Sequence, residues 1–421
     1  MSYSEWLKFA AIAGYPKRQS TMSRRHAFSS GVEAISQANN VSGMTFRVAH
    51  SFLAKPTMVR ILFHNNLTTA VTFAQTGAAT SRSIPAHLAP AVSNEWTAGG
   101  SVTIAAQQAS NQPSAAYSAW IPVYPQESAD DPGTYPVLVY AYIDASYANY
   151  TQNSYDVSWM ESEPKKGAAY WAMRQQSGDQ ATNPGTFSST TVQPRSPIAG
   201  IEALCEDGAV VLLDVGDSIT AGAGQTNLGK TDIYRACEAI NQLGGKKVSH
   251  IRGGWGGQNS ATYGARGLYL MPIVKPDILV LTAGTPNDGT PSLSGQRGNR
   301  VLIQQLLDLA KGQGARVILR GWAPNTSNAW ADGTLTTTPT YPVATVAGDV
   351  YRRDQNGRCA AMDGRGNVVY TAGISILGDG ATPERYQQAY TTDNNHPNDA
   401  GYALCAANMQ AAIQRVMGEF K

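Results

Sequence analysis

Between Val210 and Thr231 the chain reads VVLLDVGDSITAGAGQTNLGKT, and two kinds of chemistry compete for this stretch. GDSIT sets Ser218 just past an apolar run, where a strand-to-helix turn exposes a nucleophile and the helix start supplies amide donors. Gly224 to Thr231 spells G-x-x-x-x-G-K-T, the pattern of a phosphate-cradling loop. Such a loop works only when its first glycine follows a strand directly, so that loop amides and the next helix converge on the phosphates. Here Gly224 stands about ten residues beyond the strand end at Asp214, and the intervening TAGA is no strand. Nor does a later apolar run end in an aspartate that could hold magnesium, since ILVLTAG ends in Ala and Gly and RVILRGW in Gly and Trp. Nucleotide chemistry is therefore set aside, and Lys230 and Thr231 are expected to open a helix.

Serine alone is a poor nucleophile and needs a base within reach and an acid to orient that base. Near the carboxyl end stands TTDNNHPNDAGY, in which Asp393 and His396 precede a helix that Asn398 or Asp399 could cap. One short loop can then deliver a carboxylate to one imidazole nitrogen while the other nitrogen faces the serine. Taken singly, His396 reads as a surface histidine, Asp393 as a turn former and Ser218 as a helix cap. Acyl transfer also requires donors aimed at a developing oxyanion. IRGGWGGQNS offers glycine amides and LTAGTPNDG offers the side-chain amide of Asn287, each just after a different apolar run.

In this order, GDSIT, the GGWGG loop, GTPND and DNNHP resemble the successive blocks of the SGNH, or GDSL, hydrolases, a family of esterases and lipases on a flavodoxin-like sheet. The likeness covers roughly the last 220 residues. It implies Ser218 as nucleophile, His396 as base and Asp393 as its partner. It also implies an oxyanion hole made by the Ser218 amide, the amide of Gly257 with Gly256 as the near alternative, and Asn287. Arg252 stands where the family usually has asparagine, and GTPND carries Pro286 as an addition to the usual G-x-N-D. That proline fixes its own dihedral and biases Thr285 toward extended backbone. No G-x-S-x-G occurs, which disfavours the other common serine-hydrolase architecture.

The elements that must position these residues fall into two patterns. From about Met44 to Trp159 the apolar residues alternate, as in RVAHSFL, MVRILFHNN, SVTIAA, YSAWIPVY, YPVLVYAYI and YDVSWM, which predicts an antiparallel β-sandwich with Val59, Ile61 and Phe63 on one face. The family likeness of this half, looser than the other, implies a sandwich packed beside the catalytic sheet. After Ile198, unbroken runs (AVVLLDV, VSHI, ILVLTAG, RVILRGW, NVVYTAG) alternate with helical stretches near Asp232 to Leu243, Asn299 to Lys311 and Asn398 to Met417. Strands covered on both faces mean a doubly wound parallel sheet, with the ligand outside the carboxyl ends of its strands. The expected organisation is an amino-terminal segment over 1–43, a sandwich over 44–174, a polar linker over 175–197 and an α/β catalytic domain over 198–421.

Composition bounds the rest. With 32 Lys and Arg against 30 Asp and Glu there is no global field to hold nucleic acid or a membrane surface. No run approaches the roughly 18 apolar residues of a membrane helix, and MSYSEWLKFAAIAGYPKRQ lacks the pattern of a secretory leader. Cys205, Cys237, Cys359 and Cys405 are widely spaced and read as buried free thiols. The histidines show no ligand spacing, so neither metal nor cofactor is expected. Trp255, inside the GGWGG loop, and Trp322, which follows a strand end, are expected at the rim of the cleft, where indole faces can stack on sugar rings or acyl chains, with plain packing as the alternative. The expected activity is hydrolysis of a small-molecule or glycan ester, an acetyl group on a carbohydrate being favoured because no long apolar lid is visible. A lipase and a non-catalytic carbohydrate-binding module are the other readings.

Overall fold

A computed structural model describes residues 25–29, 34–41, 43–65, 67–80, 97–107, 114–128, 132–144, 147–154, 171–179, 181–182, 195–205, 209–225, 231–254, 256–288, 293–324, 330–331, 334–335, 346–381, 384–393 and 395–418. The amino-terminal part contributes β1 (Arg25–Ser29), β2 (Ala34–Val41), β3 (Met44–Phe52), β4 (Pro56–Asn65), β5 (Val71–Thr80), β6 (Thr97–Ile104), β7 (Ser114–Tyr117) and β8 (Ile121–Pro122). It continues with β9 (Tyr135–Ile143), β10 (Tyr147–Ser154), β11 (Trp171–Ser177), β12 (Arg195–Ser196) and β13 (Ile198–Cys205).

One antiparallel sheet runs β1-β13-β4-β7, with β8 also on β4, and a second runs β11-β3-β9-β5-β6. A smaller sheet, β12-β10-β2, accompanies them. Period two explains the sandwich: alternate residues of β4, Val59, Ile61 and Phe63, are fully buried against Phe46 and Val48 of β3, Phe73 of β5 and Val137 and Val139 of β9. Phe63 and Phe73 stack across the two sheets with ring centroids 4.4 Å apart. The run YDVSWM lies outside the described residues.

Two sequence boundaries shift. Ile198–Cys205, assigned above to the catalytic domain, pairs antiparallel with β4 and lends Ile201 and Ala203 to the sandwich core. Residues 175–177, assigned to the linker, complete β11 against β3. The amino-terminal segment also contributes a strand, β1, to the edge of β13.

The carboxyl-terminal part begins with β14 (Ala209–Val215) and continues through α1 (Ser218–Ala221), α2 (Asp232–Gln242), β15 (Lys247–Arg252), α3 (Ser260–Val274), β16 (Ile278–Thr282), α4 (Leu293–Gly312) and β17 (Arg316–Arg320). A short hairpin, β18 (Trp330–Ala331) with β19 (Thr334–Leu335), precedes α5 (Val346–Ala360), β20 (Val368–Thr371) and α6 (Asp399–Met417). The sheet order β15-β14-β16-β17-β20, parallel throughout, is the flavodoxin-like order in which the first strand lies between the second and third. Successive residues of β14 serve opposite layers. Val211, Leu213 and Val215 face α3, α4 and α5, whereas Val210 and Leu212 face α2 and α6. Burial on both faces is why these strands read as unbroken apolar runs.

The two halves meet along α3. The Tyr117 hydroxyl donates to the Ile273 carbonyl at 3.2 Å, and His64 of β4 lies edge-on to Tyr269 with ring centroids 5.6 Å apart. Burial, with Arg266 nearby, holds the His64 imidazole well below its ordinary range, at about 3. All four cysteines are free and buried.

Beneath the carboxyl ends of the strands sits a fully buried ion pair, Arg320 to Asp232 at 2.9 Å, and the same guanidinium donates to the Thr220 hydroxyl of α1 at 2.8 Å. Removing one partner of such a pair leaves an uncompensated charge in a dry interior. Arg320→Met is expected to cost about 3–5 kcal/mol of stability, read by urea unfolding of the two proteins; a loss under about 1 kcal/mol would contradict this account of the pair.

Candidate active site

Ser218 opens α1 where β14 ends, and the preceding residue makes the turn. Asp217 is extended, and its side chain accepts the Ile219 amide at 3.0 Å, capping the helix. Gly222 closes that single turn with φ +94°, a conformation that a side chain would strain. The serine is thus held by a cap that is not its own, so its hydroxyl is free for other work.

The histidine arrives on the loop between a 3₁₀ turn, Gln388–Tyr390, and helix α6. Asp393 Oδ1 accepts the amides of Asn395 and His396 at 3.0 and 2.8 Å, a turn made by the carboxylate itself. Thr391 donates to the His396 carbonyl at 2.7 Å, and Asn398 then caps α6 by accepting the Gly401 amide at 3.0 Å. This folding places His396 Nδ1 2.6 Å from Asp393 Oδ2 and Nε2 2.9 Å from Ser218 Oγ. The network assigns the proton to Nδ1, donated to the carboxylate, so that Nε2 accepts from the serine hydroxyl. Burial works against the charge on Asp393, but the hydrogen bonds from the His396 side chain and amide and from the Asn395 amide outweigh it, holding the carboxyl down at about 2. Its side chain is 48% exposed and that of His396 18%.

Gly224 belongs to this arrangement rather than to a phosphate site. Its φ is +87°, and a Cβ there would fall 2.5 Å from the Pro397 carbonyl oxygen and 2.7 Å from His396 Cβ, so glycine lets the histidine loop close over the nucleophile turn. Thr231 caps α2 through the Tyr234 amide at 3.1 Å, which gives it the helix-opening place expected from the sequence. Lys230 lies outside the described residues.

The loop after β15 is tied down by Asp214, whose Oδ1 accepts the Gly253 and Gly254 amides at 2.6 and 3.0 Å while Oδ2 lies 2.7 Å from His250 Nε2. A Cβ on Gly254 would meet the Ala221 nitrogen and the Thr220 carbonyl carbon at 2.7 Å, so the loop packs directly on the backbone of α1. Arg252 spans the same seam, donating to the Ala221 carbonyl at 3.3 Å. Gly256 and Gly257 lie beyond, exposed, with Gly257 at φ +71°. Asn287 sits in the 3₁₀ turn Pro286–Asp288, into which the added proline is wound. Its side-chain amide donates to the Gln258 carbonyl, next to Gly257, at 3.0 Å. An amide nitrogen carries two protons, so one remains for a further acceptor.

The structure therefore brings Ser218, His396 and Asp393 together and sets Asn287 against the Gly257 segment. Trp322 is a correction. It is 1% exposed, with its ring edge-on to Tyr351 and against Gly284, where a Cβ would be 2.4 Å from Cε3; it lines the core and not a rim. Trp255 lies outside the described residues. Sequence reasoning missed Tyr402, a buried residue of α6 whose hydroxyl lies 2.8 Å from the Ile219 carbonyl and 3.0 Å from that of Ala223. It also missed the buried Asp214. Neither has a local signature, because the groups they bind are 36 to 183 residues away.

The carboxyl-terminal part is similar to known proteins. The model of the GDSL-like Lipase/Acylhydrolase family matches residues 215–404. No curated protein matches. Among solved structures, the chain is similar to a GDSL-like lipase from Bacteroides thetaiotaomicron at 19% identity over 50% of this chain and 89% of that one, with a TM-score of 0.35. A psychrotrophic esterase from a Pseudoalteromonas species matches at 16% identity over 49% and 98% with a TM-score of 0.33. A two-domain esterase active on acetylated mannans matches at 20% identity over 49% and 50% with a TM-score of 0.36. Residues 215–404, which carry the serine turn, both glycine and asparagine loops and the histidine loop, are a domain of the GDSL-like lipase and acylhydrolase family.

Proposed function

We propose that the protein is a serine esterase in which Ser218, His396 and Asp393 act as a triad on a short-chain acyl ester, an acetyl group carried by a carbohydrate. The observation that carries this reading is the pair of contacts on one imidazole, 2.9 Å to the serine hydroxyl and 2.6 Å to the carboxylate. Ser218 Oγ attacks the ester carbonyl while His396 Nε2 takes its proton. Negative charge moves to the carbonyl oxygen, which the amides of Ser218 and Gly257 and the second amide proton of Asn287 receive. The tetrahedral species collapses, the alcohol leaves with the proton returned by His396, and an acyl-serine remains. Water, deprotonated by the same imidazole, releases the acid and restores the serine.

A small acyl group and a polar alcohol fit the surroundings. Among the described residues, the exposed large apolar side chains are Tyr124, Leu243, Val301, Val350 and Leu404, none of them on the loops that converge on Ser218. Thr392 and Asn395, next to Asp393 and His396 in the chain, are a hydroxyl and an amide suited to sugar hydroxyls, and the Asn395 amide lies 3.4 Å from His396 Nε2. Release rates from acetyl, butyryl and octanoyl esters of one alcohol test the point. The expected result is a fall of at least about tenfold from acetyl to octanoyl. A preference for octanoyl overturns the acetyl assignment in favour of a lipase.

A further inference from the structure

The segment Thr285–Asp288 contacts three parts of the site at once, and one hydroxyl joins them. Thr285 is fully buried, and its Oγ1 donates to Asp217 Oδ2 at 2.5 Å. Asp217, 1% exposed, uses its other oxygen to cap the helix that Ser218 begins. The same Thr285 oxygen accepts the Asn287 backbone N–H at 3.3 Å and lies 3.5 Å from the Gln258 carbonyl, which in turn accepts the Asn287 side-chain amide at 3.0 Å. At the far end of the turn, Asp288 takes the amide and hydroxyl of Ser260, both at 2.6 Å, and the Thr285 amide at 3.3 Å. A hydroxyl has one proton and two lone pairs. Given to Asp217, that proton fixes the hydroxyl's rotation and leaves a lone pair aimed at Asn287. Pro286 removes a competing amide from the turn and fixes its φ, so the two-residue step from Thr285 to Asn287 is stiff.

We propose that Thr285 is a positioning residue, which sets the Asn287 side-chain amide at a fixed place relative to Ser218 by tying the Asn287 backbone nitrogen, through its hydroxyl, to the Asp217 carboxylate that caps the Ser218 helix. The proposal rests on the esterase reading above and on Asn287 as an oxyanion donor. Donors to a developing oxyanion act only within a narrow range of distance, so a shift of the turn acts on turnover and leaves substrate binding alone.

The test is a cycle of the full-length wild type, Thr285→Val, Asn287→Ala and the double variant, with Thr285→Ser beside them, assayed on a short-chain aryl ester. Each kcat is divided by the sites that a fluorophosphonate titrates, so that misfolded protein is not counted. Thr285→Val, similar in shape but without the hydroxyl, is expected to lower kcat about 10- to 100-fold with KM changed by less than about threefold. Asn287→Ala is expected to lower kcat about 100- to 1,000-fold. The double variant should match Asn287→Ala within about twofold, because the threonine acts through the asparagine. Thr285→Ser should return to within about threefold of wild type. If the valine variant does not fold, Thr285→Ala carries the same comparison.

A valine variant with unchanged kcat, losses that multiply in the double variant, or a serine variant as slow as the valine one each overturn the positioning role while leaving the esterase reading intact, provided Asn287→Ala is slow. Full activity in Asn287→Ala overturns the oxyanion assignment and this proposal with it.

Discussion

Ser218→Ala is expected to lower turnover by about a millionfold on a short-chain aryl ester, with the folded protein otherwise unchanged. The size follows from what the hydroxyl does. In the proposed mechanism it supplies the atom that attacks, and without it the imidazole at 2.9 Å has no proton to take. The remaining activity comes from the oxyanion donors acting on a bound ester and water, a residue of about 10³–10⁴ over the uncatalysed reaction. The fold should tolerate the change because the helix is capped by Asp217 and closed by Gly222, and neither contact passes through the serine side chain. Thermal unfolding of both proteins and a steady-state assay measure the two halves of the statement. A variant that keeps most of its activity would remove Ser218 from the chemistry.

The second large effect is at Asp393. Asp393→Asn is expected to reduce kcat by about 10⁴-fold, because the amide that replaces the carboxylate can present a donor to Nδ1 and so select the tautomer whose proton sits on Nε2, facing the serine. The turn itself should survive, since an amide oxygen can still accept from the Asn395 and His396 backbone nitrogens. The pH dependence supplies a second readout. In the folded protein the carboxyl is held down at about 2, below its ordinary value, so its ionised form contributes stability to the loop above that ordinary value and loses it as pH falls toward 2. A loss of less than about tenfold would show that the carboxylate does not orient the histidine.

Much of this was legible in the chain because the chemistry sits at strand ends. Strands buried on both faces announce themselves as continuous apolar runs, and the residues just past AVVLLDV and ILVL are the serine turn and the Asn287 turn. The histidine loop was legible because its carboxylate and imidazole lie within one turn of chain. Helix α3 was not, since Gly264, Gly267 and Pro272 all count against a helix locally. Tertiary packing decides there: Gly264 and Gly267 lie beneath Leu302 and Leu306 of α4, where a Cβ would be 3.2 and 2.9 Å from the leucine side chains. Helix α5 was hidden for another reason, a buried charge set in which Arg352 donates to Asp349 at 2.7 Å and also contacts Glu384. Buried polar positions of this kind break the apolar period that marks a helix in sequence.

Two misreadings share a cause, which is that local pattern does not reveal which layer receives a side chain. IAGIEALC reads as one more buried run ahead of the parallel strands, yet β13 completes the sandwich because β4 and β1 pair along its two edges. Trp322 follows a strand end, as a rim residue does, but Gly284 leaves room for its ring and draws it inward. Asp214, Tyr402 and Thr285 hold the site through partners distant in sequence, and only the assembled sheet brings those partners into reach.

The most direct measurement is reaction of the full chain with a fluorophosphonate, followed by mass mapping of the adduct. The account predicts one phosphonyl group per chain, on the peptide containing Ser218, with labelling abolished in Ser218→Ala and strongly slowed in His396→Ala. A chain that stays unlabelled, or that carries the label elsewhere while still hydrolysing esters, would contradict it.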